Sequence, residues 1–402
     1  MILFTAVLSG CGSHTVSNPD TNKQSNSKTD LLDNNTSKAA KKGKAKVTAV
    51  PCYSSACAKG RKYLALGNYQ YAIAQFREGL RTNPRCADAY MGMGKAHLSL
   101  HDRKKAVHAF KSAVALDPRL AEAHAYLAKI YSELEDYENS ILSANSAIEL
   151  NPDKPELYLV RAKASYFVSI FDSKVQSSNM EADLDKAIEL DPDCAEAHHS
   201  KGILLASQRR VKEAIECFTV AIALKPNVDN YRNRSSAYSY LNMYDAALKD
   251  LDQVIKLSPG DPQTYIVRAG IYRQLGQYKD AIENYDKALS IAPRNFNNYA
   301  KRAETYLLLK DYAHALKDLS AIVEANPIDD DARRKRGEVY VLMGKYDEAL
   351  TEFNEAISLY PSSSAALEDR AKLYRKIGEE KKALADETEA KRLKRKPAVK
   401  KI

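Results

Sequence analysis

Residues 262–295 read PQTYIVRAGIYRQLGQYKDAIENYDKALSIAPRN. Tyr265, Ala269 and Tyr272 recur at helical spacing in the first half, and Ala281, Tyr285 and Ala288 do so in the second. Leu275–Gly276–Gln277 between them has the composition of a turn. Pro293 stops the second helix, because proline lacks the N–H that would continue the ladder and its ring clashes with the preceding turn. The stretch is therefore a helical hairpin. A single hairpin cannot bury its own apolar faces, whereas stacked copies can.

The rest of the chain supplies the copies. Pro84, Pro118 and Pro152 lie 34 residues apart; Pro192 follows after 40, Pro226 after 34 and Pro259 after 33; Pro293, Pro327 and Pro361 are again 34 apart. A small residue sits 12 before the proline at Ala72, Ala106, Ser140, Ala214, Ala247, Ala281, Ala315 and Ala349. A bulky one sits 8 before, at Phe76, Phe110, Leu184, Phe218, Leu251, Tyr285, Leu319 and Phe353. Glycine, alanine or serine sits 24 before, at Gly60, Gly94, Ala128, Gly202, Ser235, Ala269, Ala303 and Gly337. Small residues let two backbones approach, and the bulky residue is expected to fill the gap between neighbouring hairpins.

This 34-residue period resembles the tetratricopeptide repeat (TPR) family, with Gly or Ala at repeat position 8, Tyr at 11, Ala at 20 and 27, a bulky residue at 24 and Pro at 32. Nine full repeats span 53–86, 87–120, 121–154, 155–194, 195–227, 228–261, 262–295, 296–329 and 330–363. A tenth unit begins at Ser364; its second helix, rich in Lys, Arg and Glu on nearly every face, reads as a solvating cap. Where the family prefers Trp at position 4, this chain has Tyr90, Tyr158, Tyr231, Tyr265, Tyr299 or His. The resemblance implies an all-α fold, an α-solenoid wound as a right-handed superhelix whose first helices line a concave groove.

Charge is unevenly distributed over the 402 residues, whose formal net charge is +9. Residues 12–50 carry net +4 and residues 364–402 net +6, leaving −1 for the remainder. A near-neutral array argues against a nucleic-acid-tracking surface, which would be basic along its length. No run of 18 apolar residues occurs, so no transmembrane helix is predicted.

The chain opens MILFTAVLSGCGSHT, and Leu8–Ser9–Gly10–Cys11 after the apolar run Ile2 to Leu8 resembles the lipobox of bacterial lipoproteins. That resemblance implies a signal segment 1–11 beginning upstream of Met1, lipid on Cys11 and, with Gly12 rather than Asp after the cysteine, the outer membrane of a Gram-negative cell. Residues 12–50 are rich in Ser, Asn, Thr, Asp and Lys without an apolar period and are read as a disordered tether. The array takes 51–396 and a basic tail 397–402. If the LSGC run is accidental, the chain is a cytosolic adaptor or co-chaperone instead.

By the resemblance, repeat positions 2, 5, 6, 9, 12 and 13 face the groove. Position 9 reads Arg61, Lys95, Lys129 and Lys163 in four successive repeats, then Ile203, Ser236, Gly270, Glu304 and Glu338. The basic ladder suits an extended acidic peptide or polyanionic glycan, or is a solvated helix face. Arg232, Asn233, Tyr240, Arg273, Asn297, Lys301, Arg334 and Lys335 add a mixed polar lining suited to hydrogen bonding with a peptide. The Lys and Asn set of the family's carboxylate clamp for chaperone tails is not found.

Recurring pairs 16 residues apart are predicted to be ion pairs within a hairpin: Arg234 with Asp250, Arg302 with Asp318, Arg336 with Glu352 and Arg370 with Asp386, with Arg161 and Asp183 equivalent across an insertion. The insertion, six residues around Val168–Met180, is placed between the helices of the fourth repeat. His97, His101 and His108 offer no third ligand beside a spaced pair and are read as ordinary imidazoles, so no metal or cofactor is expected. Phosphate-loop, HExxH and GxSxG motifs are absent, and the expected role is a non-catalytic scaffold that binds other proteins or peptides.

Overall fold

The computed structural model describes residues 54–171 and 177–395, which form twenty helices and, among the described residues, no strand. The signal segment, Cys11, the whole tether and the basic tail lie outside the described residues. The helices pair consecutively into ten hairpins, giving the expected α-solenoid architecture. The chain divides into two compact units, up to Lys225 and from Pro226 onward.

The first unit holds α1 (Ser55–Ala65), α2 (Tyr69–Thr82), α3 (Ala87–Ser99), α4 (Arg103–Leu116), α5 (Ala121–Glu133), α6 (Tyr137–Leu150), α7 (Pro155–Phe171), α8 (Ser177–Leu190), α9 (Ala195–Ser207) and α10 (Val211–Leu224). The second holds α11 (Val228–Tyr240), α12 (Tyr244–Leu257), α13 (Pro262–Gln274), α14 (Tyr278–Ile291), α15 (Phe296–Leu308), α16 (Tyr312–Ala325), α17 (Asp330–Leu342), α18 (Tyr346–Leu359), α19 (Ser364–Lys376) and α20 (Glu380–Arg395). Odd-numbered helices open each hairpin and even-numbered ones close it.

Local chemistry starts and stops these helices. Asp102, Asp136 and Asp311 cap second helices, and Asn227, Asp261, Asp329 and Ser363 cap first helices, each side chain accepting an N–H from the first turn. Each described hairpin turn then needs one left-handed residue. Gly276, in the turn read from the sequence, takes that conformation at φ 73° without steric cost, but Lys310 takes it at φ 59° and bears the cost of its Cβ.

The bulky residue at position 24 is a core element twice over. A Cβ on Gly60, in α1, would lie 2.8 Å from the ring of Phe76, in α2 of the same hairpin; one on Gly92, in α3 of the next, would lie 2.3 Å from it. The ring therefore fills space inside its own hairpin as well as between neighbours. Gly94 with Phe110, Gly202 with Phe218 and Gly337 with Phe353 repeat the arrangement, at 2.6 to 2.7 Å for the closest carbon. Ala303 and Ser235 at position 8 stand with the smaller Leu319 and Leu251 at position 24, whereas Ala269 stands with the fully buried Tyr285, so the volume match holds hairpin by hairpin and is not a rule of the whole array.

The arginine–acid pairs form, and with a third arm. Arg234 donates Nε to Oδ2 of Asp250 at 2.8 Å and Nη2 to Oδ1 at 2.7 Å. Arg370 forks onto Asp386 in the same way, both bonds 2.8 Å, while its Nη1 reaches Oδ1 of Asn354, in the preceding hairpin, at 2.6 Å. Arg161 likewise holds Asp183 and, through Nη1 at 2.8 Å, Asn145. In Arg302 the third arm meets Asp286. Arg268, absent from the predicted set because Asn284 stands where the others have an acid, donates Nε to that amide oxygen and Nη1 to Asp252, both at 2.7 Å. The guanidinium groups of Arg161, Arg268, Arg302 and Arg370 thus each join two successive second helices. Arg336 departs from the pattern: Nη2 alone holds Glu352, at 2.6 Å. The tyrosine at position 4 packs on the arginine: Arg302 stands 5.5 Å from the Tyr299 ring centroid.

The insertion corrects the sequence expectation. It does not sit wholly between the helices: α7 runs 17 residues against 13 in α5 and α9, so four of the six extra residues prolong the first helix. Just before the added turn, Phe167 stacks on Tyr137 with centroids 4.8 Å apart and meets Tyr166 edge-on.

Candidate groove site

In the first unit, α5 packs beside α7, and the connection 151–154 closes one end. Between them lies a cleft of about 790 Å³. Its floor includes Ala125, Tyr126, Leu157 and Val160, and its charged rim includes Lys129, Lys154, Glu156 and Lys163. These residues fall at positions 2, 5, 6 and 9 of their repeats, where the sequence placed the groove face, except for Leu157 at position 3 and Lys154 in the connection.

The four cations of the basic ladder are not equivalent. Lys95 donates its ammonium to Glu122 at 2.7 Å and lies 5.8 Å from the Tyr126 ring centroid. Lys163 is held by Glu196 at 2.6 Å. Burial pushes the Glu196 carboxyl up, but the hydrogen bond and charge of Lys163 outweigh it and hold the group below the usual carboxylate range. Both acids stand at position 2 of the following repeat, so these lysines tie one first helix to the next. Arg61 and Lys129 are exposed and have no ion pair among the described residues, although Asp88 and Glu156 stand 27 residues on, as Glu122 does from Lys95. Lys154, which the repeat positions do not flag because it lies in a connection, is likewise exposed and without an ion pair among the described residues.

The second unit uses its polar lining differently. Arg273 reaches Glu304 at 3.4 Å, Glu304 reaches Lys335 at 3.5 Å, and Lys335 reaches Asp331 at 3.2 Å. Arg334 then joins Asp331 at 2.8 Å to Asp369 at 2.7 Å and contacts Glu338, and Lys372 holds Asp369 at 2.8 Å. The result is a continuous chain of opposite charges from α13 to α19. Burial, then the hydrogen bond with Asp369, pushes the Glu338 carboxyl up to about 7. Burial also raises Asp369, but Lys372 and Arg334 overcome it and keep that group ionised below its ordinary range. Arg232 is tied to Asp229 at 3.2 Å and Asp261 at 3.0 Å. Asn233 is buried, Tyr240 and Asn297 are exposed, and Lys301 is half-buried one turn from Asn297 on α15. The polar set is thus brought onto one run of first helices, while Arg273, Arg334 and Lys335 are engaged with acids from the same face.

His97 is buried in α3, and burial lowers its pKa against the opposing pull of Asp102. Among the described residues no group of three His, Cys, Asp or Glu side chains is arranged to hold a metal ion.

Comparison with known proteins gives a uniform result. The tetratricopeptide repeat model matches residues 57–102, 91–155, 181–229, 301–364 and 334–397, and a second model of that description matches 228–261. A TPR repeat model matches 270–310. The human protein "Tetratricopeptide repeat protein 13" is 31% identical over 80 residues, 20% of this chain and 9% of that protein. The chain therefore aligns with about a tenth of that relative's length. The C-terminal part of a TPR repeat-containing protein from Cytophaga hutchinsonii superposes with TM-score 0.54 at 16% identity, covering 60% of this chain and 97% of that one. YrrB, described as a TPR protein with an unusual peptide-binding site, matches at 22% identity and TM-score 0.40, covering 46% of this chain and 92% of its own.

Proposed function

Since the chain belongs to the tetratricopeptide repeat family, we propose that it is a non-catalytic scaffold that binds a segment of a partner protein on its first-helix face, held at a bacterial membrane by lipid on Cys11. The observation that carries the binding reading is the cleft between α5 and α7. It combines an apolar floor with Lys129 and Lys154, two cations without an acidic partner among the described residues. An exposed groove with unengaged charge suits an extended partner carrying aliphatic and acidic side chains. Partner binding is tested by reversing Lys129 and Lys154 to Glu together. These side chains join no helix pair, so the fold is expected to persist while partner capture falls; capture equal to wild type would refute the cleft as the site.

The anchor rests on Leu8–Ser9–Gly10–Cys11 and the polar segment after it. No described helix is long and apolar enough to cross a membrane. Two or three acyl chains hold durably where one holds marginally. Gly12 after the cysteine favours the outer membrane in a Gram-negative cell. The test is fractionation of cells expressing wild type and Cys11→Ser with labelled palmitate. Label and membrane recovery lost in the variant support the anchor; unlabelled, soluble wild type overturns it and leaves a cytosolic adaptor.

A further inference from the structure

We propose that the chain's own residues 29–34, TDLLDN, dock in the cleft between α5 and α7 and compete there with the partner. The proposal rests on the groove reading above and adds a regulator to it.

Two observations point to this occupant. The first is composition. Between Val16 and Val47 the only large apolar side chains are Leu31 and Leu32, and Asp30 and Asp33 bracket them. Those are two of the three acidic residues ahead of Ser54, in a stretch otherwise polar or basic. The second is the cleft itself. Ala125, Tyr126 and Val160 offer apolar surface, and Lys129 and Lys154 stand at its rim without an ion pair among the described residues. The aliphatic pair matches the floor and the aspartates match the lysines. Glu156, the remaining rim charge without an ion pair, is answered by Lys28 just before the segment.

Chain length permits the contact. From Asp33 to Ser54 the chain has 21 steps. Fully extended these span roughly 70 Å, and as a flexible coil about 25 Å. The cleft begins at α5, two hairpins beyond α1, or roughly 20 Å at ordinary helix-packing distances. A coil whose mean span matches the distance presents its motif at an effective concentration on the order of 1 mM. A motif with an intrinsic Kd of about 0.1 mM would then occupy about nine-tenths of the molecules, enough to raise the apparent Kd of a competitor about tenfold.

The experiment uses the full chain with a benzophenone amino acid in place of Asn34, irradiated at about 1 µM so that cis contacts dominate. Cross-links within one chain to residues 121–163 are expected, and they are lost when Leu31→Ser and Leu32→Ser are added. A labelled synthetic peptide of residues 27–36 is then titrated into wild type and the double-serine chain. About tenfold tighter binding to the double-serine chain is expected, and Lys129→Glu with Lys154→Glu abolishes it. Cross-links elsewhere, or only between copies, overturn the proposal, the latter assigning the cleft to a second copy. Equal peptide affinity for wild type and the double-serine chain also overturns it, while leaving groove recognition standing. Failure of the peptide to bind any variant, with no cross-link in the cleft, removes both readings.

Discussion

Gly94→Ala is expected to destabilise the protein, although the same change in an open helix stabilises it. In a solvent-facing helix, replacing Gly by Ala is worth about 1 kcal/mol of stability, because the backbone loses less entropy on folding. At Gly94 the new Cβ would lie 2.6 Å from Cε1 of Phe110 and 2.8 Å from Cδ1 and Cζ. The ring cannot withdraw. It is fully buried in a core cluster with Met91, Ala123 and Leu127, and it is stacked on Tyr126 at 4.9 Å with an interplanar angle of 6°. Overpacking of this kind costs about 1–3 kcal/mol, which should exceed the propensity gain. Phe110→Leu alone removes part of a buried ring and is expected to cost about 1–2 kcal/mol, less than the 3–5 of a full Phe→Ala truncation. The double variant recreates the Ala303 with Leu319 solution found elsewhere in the chain. It should return to within about 1 kcal/mol of wild type, a favourable coupling of about 1–3 kcal/mol. Gly270→Ala is the control, since nothing lies within 4 Å of its Cβ; it should be neutral or stabilising. Urea unfolding followed by circular dichroism reads the midpoints. Hydrogen exchange in α3 and α4 reads the local effect, which matters because solenoids unfold in segments as well as globally. A neutral Gly94→Ala, or strictly additive singles, would refute a volume match between Gly94 and Phe110.

Three further outcomes are expected. Lys310→Gly, at the left-handed turn residue of the α15–α16 hairpin, should raise stability by about 0.5–1 kcal/mol, since relief of Cβ strain exceeds the added unfolded-state entropy; a lower urea midpoint would count against it. Arg302→Met should cost about 3–5 kcal/mol by leaving the nearly buried Asp318 without its fork, and adding Asp318→Leu should recover much of the loss; a double variant no better than the single would contradict this. Glu338, pushed up to about 7 when folded, ionises near its ordinary pKa when unfolded, so the unfolded state holds fewer protons between about pH 4.5 and 7. Its contribution to stability therefore falls as pH rises through that window and is constant above it. Glu338→Gln should leave stability at about pH 4 nearly unchanged and raise it at about pH 8, modestly, because the side chain is 42% exposed; urea midpoints at the two pH values would decide.

Much of the local organisation was legible in the primary structure. Nine prolines in register, with small residues at positions 8 and 20, define hairpins whose faces require neighbours, and the hairpins form where the period places them. Arg234 with Asp250 and Arg370 with Asp386 were also legible, because a spacing repeated at one register across a solenoid reports one geometry repeated. The bridging arm from Arg370 to Asn354 was not, since it joins hairpins through a residue whose type varies among Asp, Asn and Ser from one repeat to another. Nor was the Arg268 fork, whose partner is an amide rather than an acid.

The boundary between sequence and structure is sharpest on the groove face. Sequence alone determined that the fold is a helical repeat array, that basic charge lies outside its middle, and that Arg61, Lys95, Lys129 and Lys163 share one repeat position. It also set the spacing of 27 residues that puts an acid opposite Arg61, Lys95 and Lys129 alike. Only the tertiary structure decided that Lys95 closes on its acid and Lys129 does not. It also decided that Arg334 is bound up with Asp331, Glu338 and Asp369 while Lys154, from a connection, stands open at the cleft. Periodicity specifies which residues share a face, because helical pitch is a local property. Whether two long charged side chains on that face meet depends on the rise and rotation from one hairpin to the next and on the burial around them, and no local pattern encodes those.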